Sequence, residues 1–476
     1  MLRKIASSTV DITAGLVSGG IILYALAKNP VVYKGLNEAT RFVGVNPSAY
    51  KQLETVKNVN GVQVDSFVGN YRGYEKLQRA IQETKINVNE LDLNNNKTLF
   101  DNKEEIQQLI LKLKELDENK YKGEIKLLNE INVTSQLIWG TNGPHPYNTI
   151  QGSRPNCQIM GAIQGQFLTP ENIQNIKSKI RVANFNSQKE DFRIDTIVNL
   201  NGRTVYVPFE TLAKWMSLAE GSSDSYDGSL STGILTYAIE KGVENYITPP
   251  SPFPSAPPTI VSEKNYCHVF TTALSDDDLI AVLSKAPGTP TYIGTYGPGS
   301  SSLQEHLINR IKTIPSLVFK NNAVKEKVKS GTEKDLYSHQ EERYFIENVK
   351  SQVRDIEEGR AFYSAPIARV KSSEDKVLSE HVYTVKEVKK VNDKHIITII
   401  DSHNTEYDLT IEELRKHSAV VIGLSENFPV MGEEGLEAAL LALIALVLLT
   451  KASNGLNRII LPRENVESKE IEIVSF

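Results

Sequence analysis

The sequence predicts a mixed helix-and-strand protein of the α+β class, and three observations carry that prediction. Within Lys103 to Leu116 (KEEIQQLILKLKEL), Ile106, Leu109, Ile110, Leu113 and Leu116 recur at helical spacing, which predicts an amphipathic helix. Asp195 to Val207 (DTIVNLNGRTVYV) alternates β-branched and polar residues around Asn201-Gly202, the dipeptide that suits a two-residue hairpin turn. Val382 to Val391 and Ile396 to Ile400 alternate or run apolar in the way strands do.

Taken in order, residues 1–28 come first. Ile12 to Ala27 (ITAGLVSGGIILYALA) follows Arg3 and Lys4 and ends in Ala-Leu-Ala, the layout of a signal peptide or a slightly short membrane anchor. A buried N-terminal helix is the competing reading, so the expected location is cytoplasmic, or exported and membrane-associated through residues 12–27. Residues 29–136 read as a polar, mostly helical arm, interrupted by an Asn/Asp-rich loop over Asn87 to Asn102. Around Leu137 the chain turns rich in Gly, Pro and aromatic residues, and 137–430 reads as one core. Within it, Phe209 to Ala219 is a short helix. Thr248 to Thr259 (TPPSPFPSAPPT) is an extended loop, since proline removes a donor and fixes φ. Ser275 to Lys285 opens with an N-cap and an acidic first turn. Residues 301–360 carry charges at helical spacing and read as an insertion or lid. The tail, 431–476, holds a Leu/Ala-rich helix, Ala438 to Leu449, too short to span a bilayer.

Composition narrows the function. At 476 residues the chain exceeds one ordinary domain, and its net charge of -5 offers no basic face for nucleic acid. Two cysteines, Cys157 and Cys267, build neither a disulfide framework nor a thiolate zinc site. Cys267 adjoins His268 and reads as core, and Asp276, Asp277 and Asp278 read as helix N-terminal acids rather than metal ligands.

Chemistry concentrates at three places. A turn-forming stretch, Gln151-Gly152-Ser153-Arg154-Pro155-Asn156, ends at Cys157, and the residues after it continue as a helix. A cysteine at a helix N-terminus faces peptide N–H groups that favour thiolate, the nucleophilic form. Gln151 carries an amide suited, with the Cys157 N–H, to hold an oxyanion. His381 begins a predicted strand, where a neutral imidazole accepts a thiol proton and later returns it to a leaving amine. Asp401 ends the strand Ile396 to Ile400 and suits orientation of an imidazole, with Asn404 as the alternate orienter. His145, His268, His306, His339, His395 and His417 read as surface residues.

The segment Gln151 to Ala162 resembles the calpain segment in which Gln-Gly precedes a Gly-Asp-Cys-Trp run. Gln151, Gly152, Cys157 and Ala162 match, while Pro155 and Asn156 replace Gly-Asp and Gln158 replaces Trp. Glu380-His381-Val382-Tyr383-Thr384-Val385 resembles the family's Gly-His-Ala-Tyr-Ser-Val. In the family's Asn-Pro-Trp-Gly register, Asp401 stands for Asn, Ser402 for Pro, His403 for Trp and Asn404 for Gly. The resemblance covers about Leu137 to Glu426 and keeps the papain order of Cys, His and Asp or Asn. It implies a papain-like core, a helical half bearing Cys157 and a β-rich half bearing His381 and Asp401, behind a helical N-terminal arm. It further implies a cysteine endopeptidase acting on protein or peptide substrates without a cofactor. No EF-hand loop is present in the sequence, so calcium dependence does not carry over. Rival readings are a catalytically degenerate calpain-like scaffold, a membrane-anchored assembly protein, and acyl transfer such as transglutamination by the same triad.

Overall fold

The computed structural model describes residues 58–59, 62–63, 74–85, 103–140, 143–149, 151, 156–188, 192–200, 203–217, 230–242, 261, 266–296, 339–359, 370–371, 377–403 and 405–428. The apolar stretch 12–27, the loop 87–102, the Pro-rich piece 248–259, the first part of the charged stretch 301–360, Asn404 and the tail 431–476 lie outside the described residues.

The architecture is α+β, with helices gathered around one apolar core and a large antiparallel sheet around a second. A minimal two-strand ladder, β1 (Asn58–Val59) with β2 (Val62–Gln63), precedes three helices: α1 (Tyr74–Thr84), α2 (Lys103–Asp117) and α3 (Lys122–Trp139). Ile106, Leu109 and Leu113 of α2 are buried and Ile110 packs against them, as their spacing predicts. Leu116 does not follow. It is exposed, because steps of 100° per residue carry it to the edge of the stripe.

A boundary expected at 136/137 falls inside α3. Buried residues run along this helix from Ile125 to Trp139, and they belong to the same core as Ile159 and Ile163 beside the cysteine. The N-terminal helices are therefore part of the helical half rather than a separate arm. Hydrophobic burial gives the reason: α3 presents apolar side chains along its whole length, and no break in that stripe exists at Leu137.

Next come α4 (Cys157–Gln166), α5 (Pro170–Lys177) and the meander β3 (Ile180–Asn186), β4 (Arg193–Leu200) and β5 (Arg203–Val207). Leu200 pairs with Arg203, which leaves Asn201-Gly202 as the connection of the predicted hairpin. Asp195, buried in β4, accepts from the Phe209 N–H at 3.0 Å and the Tyr206 hydroxyl at 2.9 Å. It thereby fixes the start of α6 (Phe209–Ser217), which packs on α7 (Ser231–Gly242).

The sheet of the second half contains β6 (Tyr266–Phe270), β7 (Tyr292–Thr295), β8 (Val370–Lys371), β9 (Val382–Val391), β10 (Lys394–Ile400), β11 (Thr405–Thr410) and β12 (Ser418–Leu424). Their order is β6-β12-β7-β9-β10-β11-β8, antiparallel apart from the β11–β8 pair. Asn392 and Asp393, at φ 49° and 62°, turn the β9–β10 hairpin; these residues tolerate the left-handed region that such a turn requires. Helix α8 (Asp276–Leu283) is capped by Ser275, whose hydroxyl accepts from the Asp278 N–H at 3.1 Å, as the sequence predicts. Within the charged stretch 301–360, α9 (His339–Glu357) is no lid. Phe345, Val349, Val353 and Ile356 are buried in the helical core, at spacings that share one face. Helix α10 (Ile411–His417) links β11 to β12 through a capping box of Thr410 and Glu413.

Helix α4 joins the two halves. Ile159, Ala162 and Ile163 sit in the helical core, while the small residues Gly161 and Gly165 face the sheet. A Cβ on Gly165 would lie 2.5 Å from the Tyr292 hydroxyl, and Thr384 Oγ1 donates to the Gly161 carbonyl at 3.1 Å. Glycine at these positions lets the helix approach β7 and β9 closely enough to set its first residue beside the start of β9.

Candidate active site

Cys157 is the first residue of α4, after Asn156, whose side chain makes no cap. Its side chain is half-buried against the apolar core of the sheet, near the backbone N–H groups of Val382, Gln158 and Cys157 itself. Val382 belongs to that core and directly follows His381, so folding brings the cysteine helix to the start of the strand behind His381. Burial pushes the thiol above its ordinary range, the three N–H groups pull it down, and the Glu380 charge pushes it further up. Desolvation at this site thus opposes the thiolate that the helix N-terminus favours.

His381 immediately precedes β9 and is 7% exposed. Thr295 of β7 holds its backbone: the His381 N–H donates to Thr295 Oγ1 at 2.9 Å, and the His381 carbonyl accepts from the Thr295 N–H at 3.0 Å. The ring stands edge-on to Tyr383, with centroids 5.0 Å apart, and is stacked on His403 at 5.2 Å. Burial pushes its pKa down to about 4, against the Asp401 charge, which raises it. Its Nε2 is buried and has no hydrogen-bond partner among the described residues.

Asp401 follows β10 and is 1% exposed. Its Oδ1 accepts the N–H groups of His403 at 2.9 Å and Thr405 at 2.8 Å, which closes the turn into β11. Its Oδ2 lies 3.8 Å from His403 Nδ1, and hydrogen bonding to Asp401 raises the His403 pKa. The Asp401 carbonyl accepts from Gln164 Nε2 of the cysteine helix at 3.2 Å. A ring nitrogen of His381, one of His403 and a carboxylate oxygen of Asp401 lie within 4.8 Å of one another.

Gln151 is tied to the same turn. Its N–H donates to the Ser402 carbonyl at 2.7 Å, and its Oε1 accepts from Ser402 Oγ at 2.7 Å. That hydroxyl occupies the oxygen of the amide; the oxyanion role needs the opposite, nitrogen end. Asn404, the alternate orienter, lies outside the described residues. Nearby, the Tyr147 hydroxyl and Lys386 both bond the buried Glu406, which ties the turn before Gln151 to β9 and β11.

The sequence-predicted residues Cys157, Gln151, His381 and Asp401 thus converge where α4 meets the sheet, though no hydrogen bond joins His381 to Asp401 or to Cys157. Three contributors, Ser402, Glu380 and His403, were placed by the sequence only as stand-ins for Pro, Gly and Trp, with no role of their own. The signal for His403 was its position two residues past Asp401. Glu380 has φ 54°, a left-handed conformation that costs an L-residue roughly 1–2 kcal/mol. Glycine, the residue at this point of the calpain motif, adopts it freely. Glu380→Gly is therefore expected to stabilise the fold by up to about 1 kcal/mol in urea melts. The same change removes a charge that holds the thiol up, so alkylation of Cys157 should quicken.

Among the described residues no helix is long and apolar enough to cross a membrane. Compared with known proteins, the chain matches no family model, no curated protein and no solved structure.

Proposed function

We propose that the chain is a papain-like cysteine peptidase of calpain type, with Cys157 as nucleophile, His381 as general base and acid, and Asp401 as orienting group. The observation that carries this reading is the place of Cys157 at the head of α4, packed against the sheet core to which Val382 belongs, next to His381 at the head of β9. Burial raises the pKa of the thiol and lowers that of the imidazole, both of which favour a neutral pair before substrate binds. Proton transfer then accompanies attack: the sulfur adds to the peptide carbonyl, His381 takes the thiol proton, and the oxyanion accepts from the Cys157 N–H and the Gln151 amide. The tetrahedral adduct collapses to a thioester as the C–N bond breaks, and the amine leaves with the proton held by His381. Water then adds to the thioester as His381 takes its proton, the C–S bond breaks to release the acid, and the proton returns to the Cys157 sulfur. Catalytic hydrogen bonds in ligand-free enzymes are often long and shorten with substrate, which fits the open spacing of His381 and Asp401. None of these steps needs a cofactor.

A second reading has its own support. The raised thiol pKa and the absence of a hydrogen bond at His381 Nε2 among the described residues favour a calpain-like scaffold without catalysis. Incubation of the full chain with unfolded protein substrates and an epoxysuccinyl probe separates the two. The peptidase reading expects cleavage that stops when the probe is found on Cys157. Absence of cleavage, with Cys157 no more reactive than a free thiol, would leave the scaffold.

A further inference from the structure

We infer that His381, Asp401 and His403 form a binding site for a zinc-like divalent transition-metal ion whose occupancy blocks the chemistry of Cys157. One donor atom from each residue lies within 4.8 Å of the others, and the set is two imidazoles and a carboxylate. That donor set suits zinc rather than calcium or magnesium, which favour oxygen ligands.

A second, independent feature points to a ligand: His381, 7% exposed, has its Nε2 buried with no partner among the described residues. Asp401 is prepared in the way metal-binding carboxylates are. Two peptide N–H groups hold its Oδ1, and its Oδ2 faces Nδ1 of His403 at 3.8 Å. Bonds of about 2.0–2.2 Å to a common ion require ligand atoms only about 3.5 Å apart, so the cluster must contract by roughly 1 Å. His403 is the residue able to make that move, because its side chain is 44% exposed while its two partners are buried. An ion held there takes the His381 lone pair, and His381 can no longer accept the thiol proton. Three protein ligands leave a fourth position for water. Metal binding stands on this geometry alone; the loss of hydrolysis rests on the peptidase reading.

The test is calorimetric titration of the full chain with zinc chloride, repeated with cobalt chloride and read by the visible bands of a tetrahedral ion. One ion per chain is expected for the wild type and for Cys157→Ser, whose sulfur is not a ligand. His403→Phe keeps a ring stacked on His381 but removes a donor. Affinity should fall by more than the roughly 10–100-fold that outer-shell changes cost, with an unchanged thermal melt. Absence of zinc binding by the wild type, or equal affinity in His403→Phe, would overturn the site. Hydrolysis assayed in parallel separates the two ideas. An inactive chain that binds zinc through His403 refutes the peptidase and keeps the site, whereas an active chain indifferent to zinc refutes the site alone.

Discussion

Under the proposed peptidase chemistry, replacing Cys157 by alanine is expected to abolish peptide hydrolysis while leaving the chain folded. The expected drop in turnover is roughly 10⁴-fold or more, because the covalent route disappears and only binding and oxyanion stabilisation remain. The fold should tolerate the change. Cys157 is half-buried against the apolar core of the sheet, and alanine suits a helical position. A urea midpoint corresponding to within about 1 kcal/mol of wild type is the companion result. Progress curves and mass spectrometry of trapped thioester check the first part. Turnover retained at a tenth of wild type or better would remove Cys157 from the reaction.

Asp401→Ala is expected to cost both stability and rate. The buried carboxylate is the acceptor for the N–H groups of His403 and Thr405, and alanine strands both donors in the turn between β10 and β11. Leaving buried donors unmet costs about 1–3 kcal/mol each, so a loss of about 2–4 kcal/mol is expected once partial solvation is allowed. Asp401→Asn restores an Oδ1 acceptor and should recover most of that loss. Asparagine is also the residue of the calpain motif, so hydrolysis should survive in Asp401→Asn and fail in Asp401→Ala. Equal melts for the two variants would contradict the turn-closing role of the carboxylate.

Local pattern made much of this fold readable. Strand β9 spans the predicted Val382 to Val391, and Asn-Gly marked the β4–β5 hairpin, because pleat alternation and turn chemistry are written within a few residues. Which strands lie together was not readable: β12 runs between β6 and β7, pairings across long stretches of chain that no local period encodes. The continuity of α3 across Leu137 was hidden by the change of composition there, although the apolar stripe does not break. At the site, the order of Cys157, His381 and Asp401 was legible from motif alone. The burial that pushes the Cys157 thiol up was not, since it arises between two halves that meet only after folding. The place of His403 beside His381 was not readable for a related reason: its stacking on His381 depends on the turn that Asp401 closes.

The most direct test concerns whether the imidazole drives the sulfur. Second-order alkylation of Cys157 by iodoacetamide at neutral pH, compared between wild type and His381→Ala, reads this without any substrate. Dependence on a neighbouring base predicts a rate in His381→Ala at least about tenfold lower, the modest end of what a positioned base supplies. An unchanged or faster rate in His381→Ala would mean that the two groups do not exchange a proton, and the proposed chemistry would fail with it.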